Sequence, residues 1–128
     1  MDWIVFGDDW GRHPSTTQHL VRNLPVSDRI VWVDSLGMRA PRLSIADARR
    51  VLARARGAVQ PEEPASARRV QRVRPPVLPW HTQAPVRALN REALAVALRS
   101  ACGRAGVLRP VVLAANPVAA YYADLVPY

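Results

Sequence analysis

Several side chains that could bind an anion, a sugar or a metal lie in one loop near the amino terminus. The loop runs from Gly7 to Pro14, contains Asp8, Asp9 and His13, and leads to Ser15, where a helix is predicted to begin. An anionic or polyhydroxyl ligand could there contact an imidazole, a hydroxyl and the positive end of a helix together. The alternative is that the histidine and the following proline only direct the chain into the helix.

The acidic pair Asp8–Asp9 is the candidate for metal binding in this loop. Such a pair after a first strand can bind Mg²⁺ in phosphoryl-transfer domains. Those domains also need a partner acid and a lysine, and all 18 basic residues of this chain are arginine. We therefore interpret the pair as loop-forming residues and predict no metal.

The glycines of the loop do not form a dinucleotide-binding motif. Gly7 and Gly11 are four residues apart, whereas the motif is G-x-G-x-x-G, and the neighbouring aspartates would repel a pyrophosphate. Asp34 would occupy the ribose-binding position of such a fold, but without those glycines a turn-forming role is favoured. No cofactor is predicted.

The elements on either side of the loop predict a parallel sheet. Residues 3–6 and 30–33 are continuous apolar runs, typical of strands that are covered on both faces. Between them, Ser15 and Gln18 have capping-box spacing, in which each side chain bonds to the other residue's amide. The apolar stripe and the end of this helix are predicted at Leu20, Val21, Leu24 and Pro25.

The rest of the chain continues the alternation of helices and strands. The predicted elements are a helix from Ser44 to Gly57, a short edge strand at 70–74, a helix capped by Asn90 that reaches Arg104 before Gly106, a strand at 111–115, and a short helical stretch after Asn116–Pro117. Right-handed crossovers then give an α/β fold with a parallel sheet of about four strands, in the order 3-2-1-4, and helices on both faces.

This strand order predicts where a ligand binds. The first and fourth strands are neighbours whose connections leave in opposite directions, which opens a crevice at their carboxyl ends. The loop 7–14 and the turn at Asn116–Pro117 should line it. The residues predicted to bind substrate are Gly7, Asp9, Trp10, His13, Ser15 and Asn116. No catalytic residue is assigned.

The net charge of +8 is concentrated in one half of the chain. Residues 1–35 carry five acids and three arginines, while residues 36–110 carry four acids and fifteen arginines. Such a patch suits nucleic acid, anionic lipid headgroups or phosphorylated ligands. Nucleic acid is disfavoured because only Trp10 and Trp80 are expected to be exposed aromatic residues beside the arginines.

A basic segment before a proline-rich loop suggests a more specific partner. Arg68, Arg69, Arg72 and Arg74 precede the apolar stretch 75–80, a composition suited to a membrane interface or to a phosphorylated acceptor. A solvated edge strand with an arginine-rich face is the alternative.

The remaining candidates for chemistry have structural interpretations. Cys102, the single cysteine, lies in an apolar helical segment and is predicted to be a packed small hydrophobe. His19 within a helix and His81 in the proline-rich loop are interpreted as structural or solvated. The chain has no apolar run long enough to span a membrane, so a cytoplasmic protein is expected, with peripheral contact at the inner face of the cell membrane.

Four segments together resemble the N-terminal half of bacterial GT-B glycosyltransferases of cell-surface polysaccharide synthesis. They are VFGDDWGRHPSTTQHL, RIVWVDSLGMRAPRLSIADARR, VLPW and VVLAANPVAAYYADLV. The resemblance implies a Rossmann-like domain on the acceptor side of a cleft, facing a second Rossmann-like domain that holds the nucleotide sugar. By position, His13, Ser15 and Asn116 would lie on the acceptor side, and transfer would need no metal.

The same resemblance predicts that residues 1–128 form a single, incomplete domain. The chain stops at Tyr128, before a nucleotide-sugar domain, so we expect a truncated part of an enzyme that is inactive alone and self-associates through an exposed sheet edge. Its nucleotide sugar and its saccharide or lipid-linked acceptor would bind only with the missing C-terminal domain. The alternative is a non-enzymatic basic α/β module for nucleic acid or an acidic partner.

Overall fold

A computed structural model describes residues 1–36 and 70–126, and these form a four-stranded parallel sheet in the order β3-β2-β1-β4. The strands are β1 (Asp2–Phe6), β2 (Arg29–Val33), β3 (Val70–Val73) and β4 (Val111–Ala114). The helices are α1 (Thr16–Arg22) and α2 (Ala84–Ala105), followed by 3-10 turns at Pro117–Tyr121 and Ala123–Leu125. The predicted α/β class and strand order are confirmed.

The two central strands are apolar along almost their whole length because both of their faces are covered. In β2, Ile30 to Val33 are fully buried, and in β1 the last three residues are. Side chains on one face pack under α1, in a cluster of Val5, Trp10, Val21, Ile30 and Trp32. Those on the other face, Ile4, Phe6, Val31 and Val33 among them, pack under α2 and the 3-10 turns.

Helix α1 begins as the sequence predicts but is held differently. Ser15 is its N-cap and accepts a hydrogen bond from the Gln18 backbone amide at 3.3 Å. The Gln18 side chain does not reach back to the cap, as the capping box would require, but turns into the preceding loop. Leu20 was expected on the apolar face and is instead 51% exposed, so Val21 and the half-buried Leu24 carry the packing.

Helix α2 begins six residues before the predicted cap. Gln83 is its N-cap and Pro85 lies in its first turn, where the missing proline amide costs no hydrogen bond. The prediction that Asn90 caps the helix is therefore wrong, since Asn90 lies within it and is buried. At the other end the prediction holds, because Gly106 ends the helix in the left-handed conformation with φ 68°.

Other sequence predictions have mixed outcomes. The edge strand at β3 and the short helical stretch after Asn116 are confirmed. The helix predicted between Ser44 and Gly57, together with Arg68 and Arg69, lies outside the described residues. In the described parts of the chain, no helix is both long and apolar enough to cross a membrane.

Cys102 packs into the α2 side of the core, as predicted, and this burial gives a prediction about its reactivity. Burial raises the pKa of its thiol above the ordinary value, and the charge of Asp2 adds to the rise. A raised pKa leaves less thiolate at a given pH, so at pH 8 we expect alkylation by iodoacetamide at least about tenfold slower in the folded protein than in denaturant, accelerating as pH rises. Equal rates in the two states would contradict this burial.

Candidate functional site

The loop after β1 and the bend after β4 meet at one edge of the sheet. β1 and β4 are parallel neighbours, and the Ala115 amide donates to the Phe6 carbonyl at 2.9 Å, which extends their pairing to the carboxyl ends. From there the chain after β1 leads to α1 on one face of the sheet, and the chain after β4 leads to the 3-10 turns on the other face. This is the divergence that the strand order predicts for a ligand-binding crevice.

Gln18 holds the loop 7–14 from within α1. Its side-chain carbonyl accepts from the Gly11 amide at 3.2 Å, and its amide nitrogen donates to the His13 carbonyl at 3.1 Å. The Gln18 side chain is buried, so these bonds are shielded from water. The loop is therefore fixed in shape by the helix that follows it.

Two tryptophans form the floor under the same loop. The Trp32 indole donates to the Asp8 carbonyl at 2.9 Å and lies so close to Gly7 that a methyl group there would be 2.2 Å from its ring. Trp10 packs edge-to-face on Trp32, with ring centroids 4.7 Å apart, and the Arg22 guanidinium lies over the Trp10 ring. The expectation that Trp10 is exposed is wrong: its side chain is 6% exposed and belongs to the core.

Asp34 joins this loop to β3. Its Oδ1 accepts from the Trp10 amide at 3.0 Å, while its Oδ2 accepts from Arg72 at 3.1 Å and from Arg74 at 2.8 Å. The sequence favoured a turn-forming role, but the carboxylate is buried and is the centre of a three-way contact. Its negative charge is tolerated in the interior because two guanidinium groups and an amide surround it.

The predicted ligand-binding side chains differ in how available they are. Asp8 and His13 are exposed, Asp9 and Ser15 are half-buried, and Gly7 is buried under Trp32. Asp9 makes one long contact with Arg12, at 3.5 Å. Exposed carboxylate and imidazole groups on a fixed loop can donate to and accept from a polar ligand without first breaking a buried contact.

Asn116 is the predicted binding residue at the bend after β4. Its Oδ1 caps the first 3-10 turn by accepting from the Val118 amide at 2.8 Å. Its Nδ2 is buried and has no hydrogen-bond partner among the described residues. An unpaired buried donor costs about 1–3 kcal/mol, so a ligand with an acceptor atom next to it would remove a cost that the fold carries.

His81, interpreted from the sequence as structural or solvated, is the centre of a buried polar cluster. Its Nε2 lies 2.7 Å from the Leu36 carbonyl, which can only accept, so this nitrogen carries the hydrogen. Its Nδ1 lies 2.6 Å from the Tyr122 hydroxyl, and in the neutral imidazole it accepts a hydrogen bond from that hydroxyl. The Asn90 side chain contacts both groups at longer range and pairs with the Leu78 backbone through both of its polar atoms.

This cluster links the proline-rich loop before α2, α2 itself and the 3-10 turns to the residues that follow β2. It gives a stability prediction. Tyr122→Phe removes the hydroxyl and leaves His81 Nδ1 without its close donor. We expect a loss of about 1–2 kcal/mol in the free energy of unfolding, measured by urea denaturation. The matched control is Tyr121→Phe, whose hydroxyl has no partner among the described residues and whose loss should be within about 0.5 kcal/mol. Equal losses of unfolding free energy in the two variants would show that the hydrogen bond of the Tyr122 hydroxyl does not stabilise the fold.

The described residues contain no group of three or more histidine, cysteine, aspartate or glutamate side chains placed to hold a metal ion. The polar groups of the loop 7–14 are hydrogen-bonding groups that include two carboxylates, and they suit a neutral polar ligand. No family model matches the chain, and no similar curated protein or solved structure was found.

Proposed function

We propose that this chain is the acceptor-binding, Rossmann-like part of a GT-B glycosyltransferase that acts in cell-surface polysaccharide synthesis. The observation that carries the proposal is the meeting of the loop 7–14 and Asn116 at the divergence between β1 and β4. Ligands of open parallel sheets bind where neighbouring connections leave to opposite faces. The resemblance of the four sequence segments then favours a sugar acceptor as that ligand.

The chemistry of the crevice supports a saccharide. Sugar hydroxyls both donate and accept hydrogen bonds, and the loop 7–14 offers the exposed Asp8 carboxylate and the exposed His13 imidazole. Because Gln18 and Asp34 already fix the loop, little conformational entropy is lost when it binds. The role proposed for these residues is to hold and orient the acceptor.

Sugar transfer by this architecture needs a second Rossmann-like domain that holds the nucleotide sugar. We therefore expect the 128-residue chain by itself to bind an acceptor saccharide and to show no multiple turnover with nucleotide-sugar donors. Multiple turnovers by the isolated chain would contradict this division of roles.

The binding test compares two exposed histidines. His13→Ala removes the imidazole from the crevice, and His19→Ala removes one from the outer face of α1, so neither should unfold the protein. Saturation-transfer NMR with a panel of hexose and N-acetylhexosamine glycosides should show binding to the wild type and to His19→Ala, weakened about tenfold in His13→Ala. No binding by the wild type, or equal binding by both variants, would count against a saccharide site at this loop.

The alternative function, a basic module for nucleic acid or an acidic partner, has less support from the contacts. Trp10, one of the two aromatic residues expected beside its arginines, is buried and cannot stack on a base. Trp80, at 39% exposed, remains available for stacking. Binding of a single-stranded oligonucleotide that weakens steeply with salt would favour this alternative.

A further inference from the structure

We propose that Arg72 and Arg74, positioned by Asp34, form a binding site for a phosphate group at the carboxyl edge of β2 and β3. This site lies two strands away from the crevice between β1 and β4, and it does not rest on the proposed function. The ligand class is a phosphate monoester, diester or diphosphate, whose oxygen atoms match the planar donor groups of arginine.

The geometry places the three side chains on one face of the sheet. Trp32 pairs in register with Arg72, and paired residues of neighbouring strands project to the same face. Asp34 and Arg74 each come two residues later, one residue past the ends of β2 and β3. The same alternation places them on that face, which is the α1 side. The Asp34 amide donates to the Val73 carbonyl at 2.9 Å, which keeps the two strands together up to this point.

The charges of the cluster do not balance. Within the residues that the structure describes, two guanidinium groups share one carboxylate oxygen, which leaves an excess of one positive charge in a partly desolvated place. Arg74 uses only its Nε on Asp34, and its side chain is 33% exposed, so its terminal nitrogens can meet a ligand from solvent. A bound phosphate would supply the missing negative charge.

An unsatisfied donor points to the same missing group. The Nε of Arg72 is buried and has no hydrogen-bond partner among the described residues, although Nη2 of the same guanidinium pairs with Asp34. Buried donors in folded proteins are almost always paired, so an orphaned one calls for an explanation. A phosphate oxygen beside Arg72 gives this N–H an acceptor.

Asp34 connects this site to the loop 7–14 through a hydrogen bond. Asp34 accepts the Trp10 amide with one oxygen and both arginines with the other. A phosphate that shares the guanidinium groups with Asp34 therefore changes the charge felt by the Trp10 amide. This contact supplies a local reporter of binding that does not depend on any enzymatic assay.

The experiment is an NMR titration of the full chain with inorganic pyrophosphate, with sodium chloride at matched ionic strength as the control salt. We expect saturable shifts of the Trp10 amide and of the Arg72 and Arg74 Nε resonances with pyrophosphate and not with chloride. Shifts absent at these positions, or identical in the two salts, would overturn the proposal.

Two variants separate this site from general attraction to a basic protein. Arg74→Gln removes the exposed member of the pair, and Arg99→Gln removes the same charge from an exposed position on α2. Pyrophosphate should bind about tenfold more weakly to Arg74→Gln and unchanged to Arg99→Gln. Equal weakening in both would overturn the site, and if Arg74→Gln does not fold, the wild-type titration decides.

Vesicles distinguish two sources of the phosphate. Phosphatidylglycerol vesicles that bind the wild type, bind Arg74→Gln more weakly and leave Arg99→Gln unaffected would identify the ligand as a lipid headgroup. Binding of pyrophosphate without vesicle binding would identify a soluble phosphorylated ligand. Failure of both probes to bind would overturn the proposal.

Discussion

Gly7→Ala is expected to destabilise the protein by at least about 3 kcal/mol, at or beyond the upper end of the usual cost of overpacking. The added methyl would lie 2.2 Å from Cζ2 and 2.5 Å from Cη2 of Trp32. Trp32 has no room to retreat, because it is fully buried, bonded to the Asp8 carbonyl and packed against Trp10. Urea unfolding monitored by circular dichroism measures the loss.

The matched control for this prediction is Gly103→Ala on α2. A methyl there meets nothing within 4 Å, and replacing a helical glycine by alanine stabilises by about 0.5–1 kcal/mol. The same substitution should therefore have opposite signs at the two positions. A neutral Gly7→Ala would mean that the Trp32 ring does not cover the start of the loop.

Asp34→Ala should cost about 3 kcal/mol, the lower end of the range for breaking a buried ion pair, because both arginines keep some contact with water. The substitution leaves two guanidinium groups without their shared carboxylate and the Trp10 amide without its acceptor. Thermal or urea unfolding measures the stability, and hydrogen exchange at the Trp10 amide should accelerate even under conditions where the protein stays folded.

Asp124→Ala is the control for removal of an ion-paired aspartate from the surface. Asp124 makes two hydrogen bonds to Arg91, which hold its pKa below the ordinary value, but its side chain is 65% exposed. Water can replace a partner at such a position, so the loss should be much smaller than for Asp34→Ala. Similar losses at both positions would contradict the special role given to Asp34.

The sheet could be predicted from the sequence because its signals are local. The apolar runs of β1 and β2, the serine cap of α1 and the glycine after α2 each depend on a few neighbouring residues, and the right-handed crossover rule does the rest. The position of the loop 7–14 beside Asn116 follows from that topology alone.

The contacts that shape the site could not be predicted in the same way, because they join residues far apart in sequence. Nothing near Trp10 indicates that its ring packs on Trp32, and nothing near Asp34 indicates its two arginine partners, 38 and 40 residues later. Asparagine often caps helices, but the Asn90 side chain instead bonds to the Leu78 backbone from within the helix. One signal was present in the sequence: an aspartate ends a predicted strand, and arginines lie on and just after a later one. The attraction of opposite charges could have predicted their contact.

The tryptophan pair beneath the loop is also a natural fluorescent reporter of that loop. Trp10 and Trp32 are shielded from water and in edge-to-face contact, directly under the segment that we propose to meet the acceptor. Loosening of that segment would hydrate the indoles and shift their emission to longer wavelength, whereas tightening would sharpen their near-ultraviolet dichroism. Loop motion in solution can thus be followed by intrinsic fluorescence, once variants that lack Trp3 and Trp80 have removed the emission of the other two tryptophans.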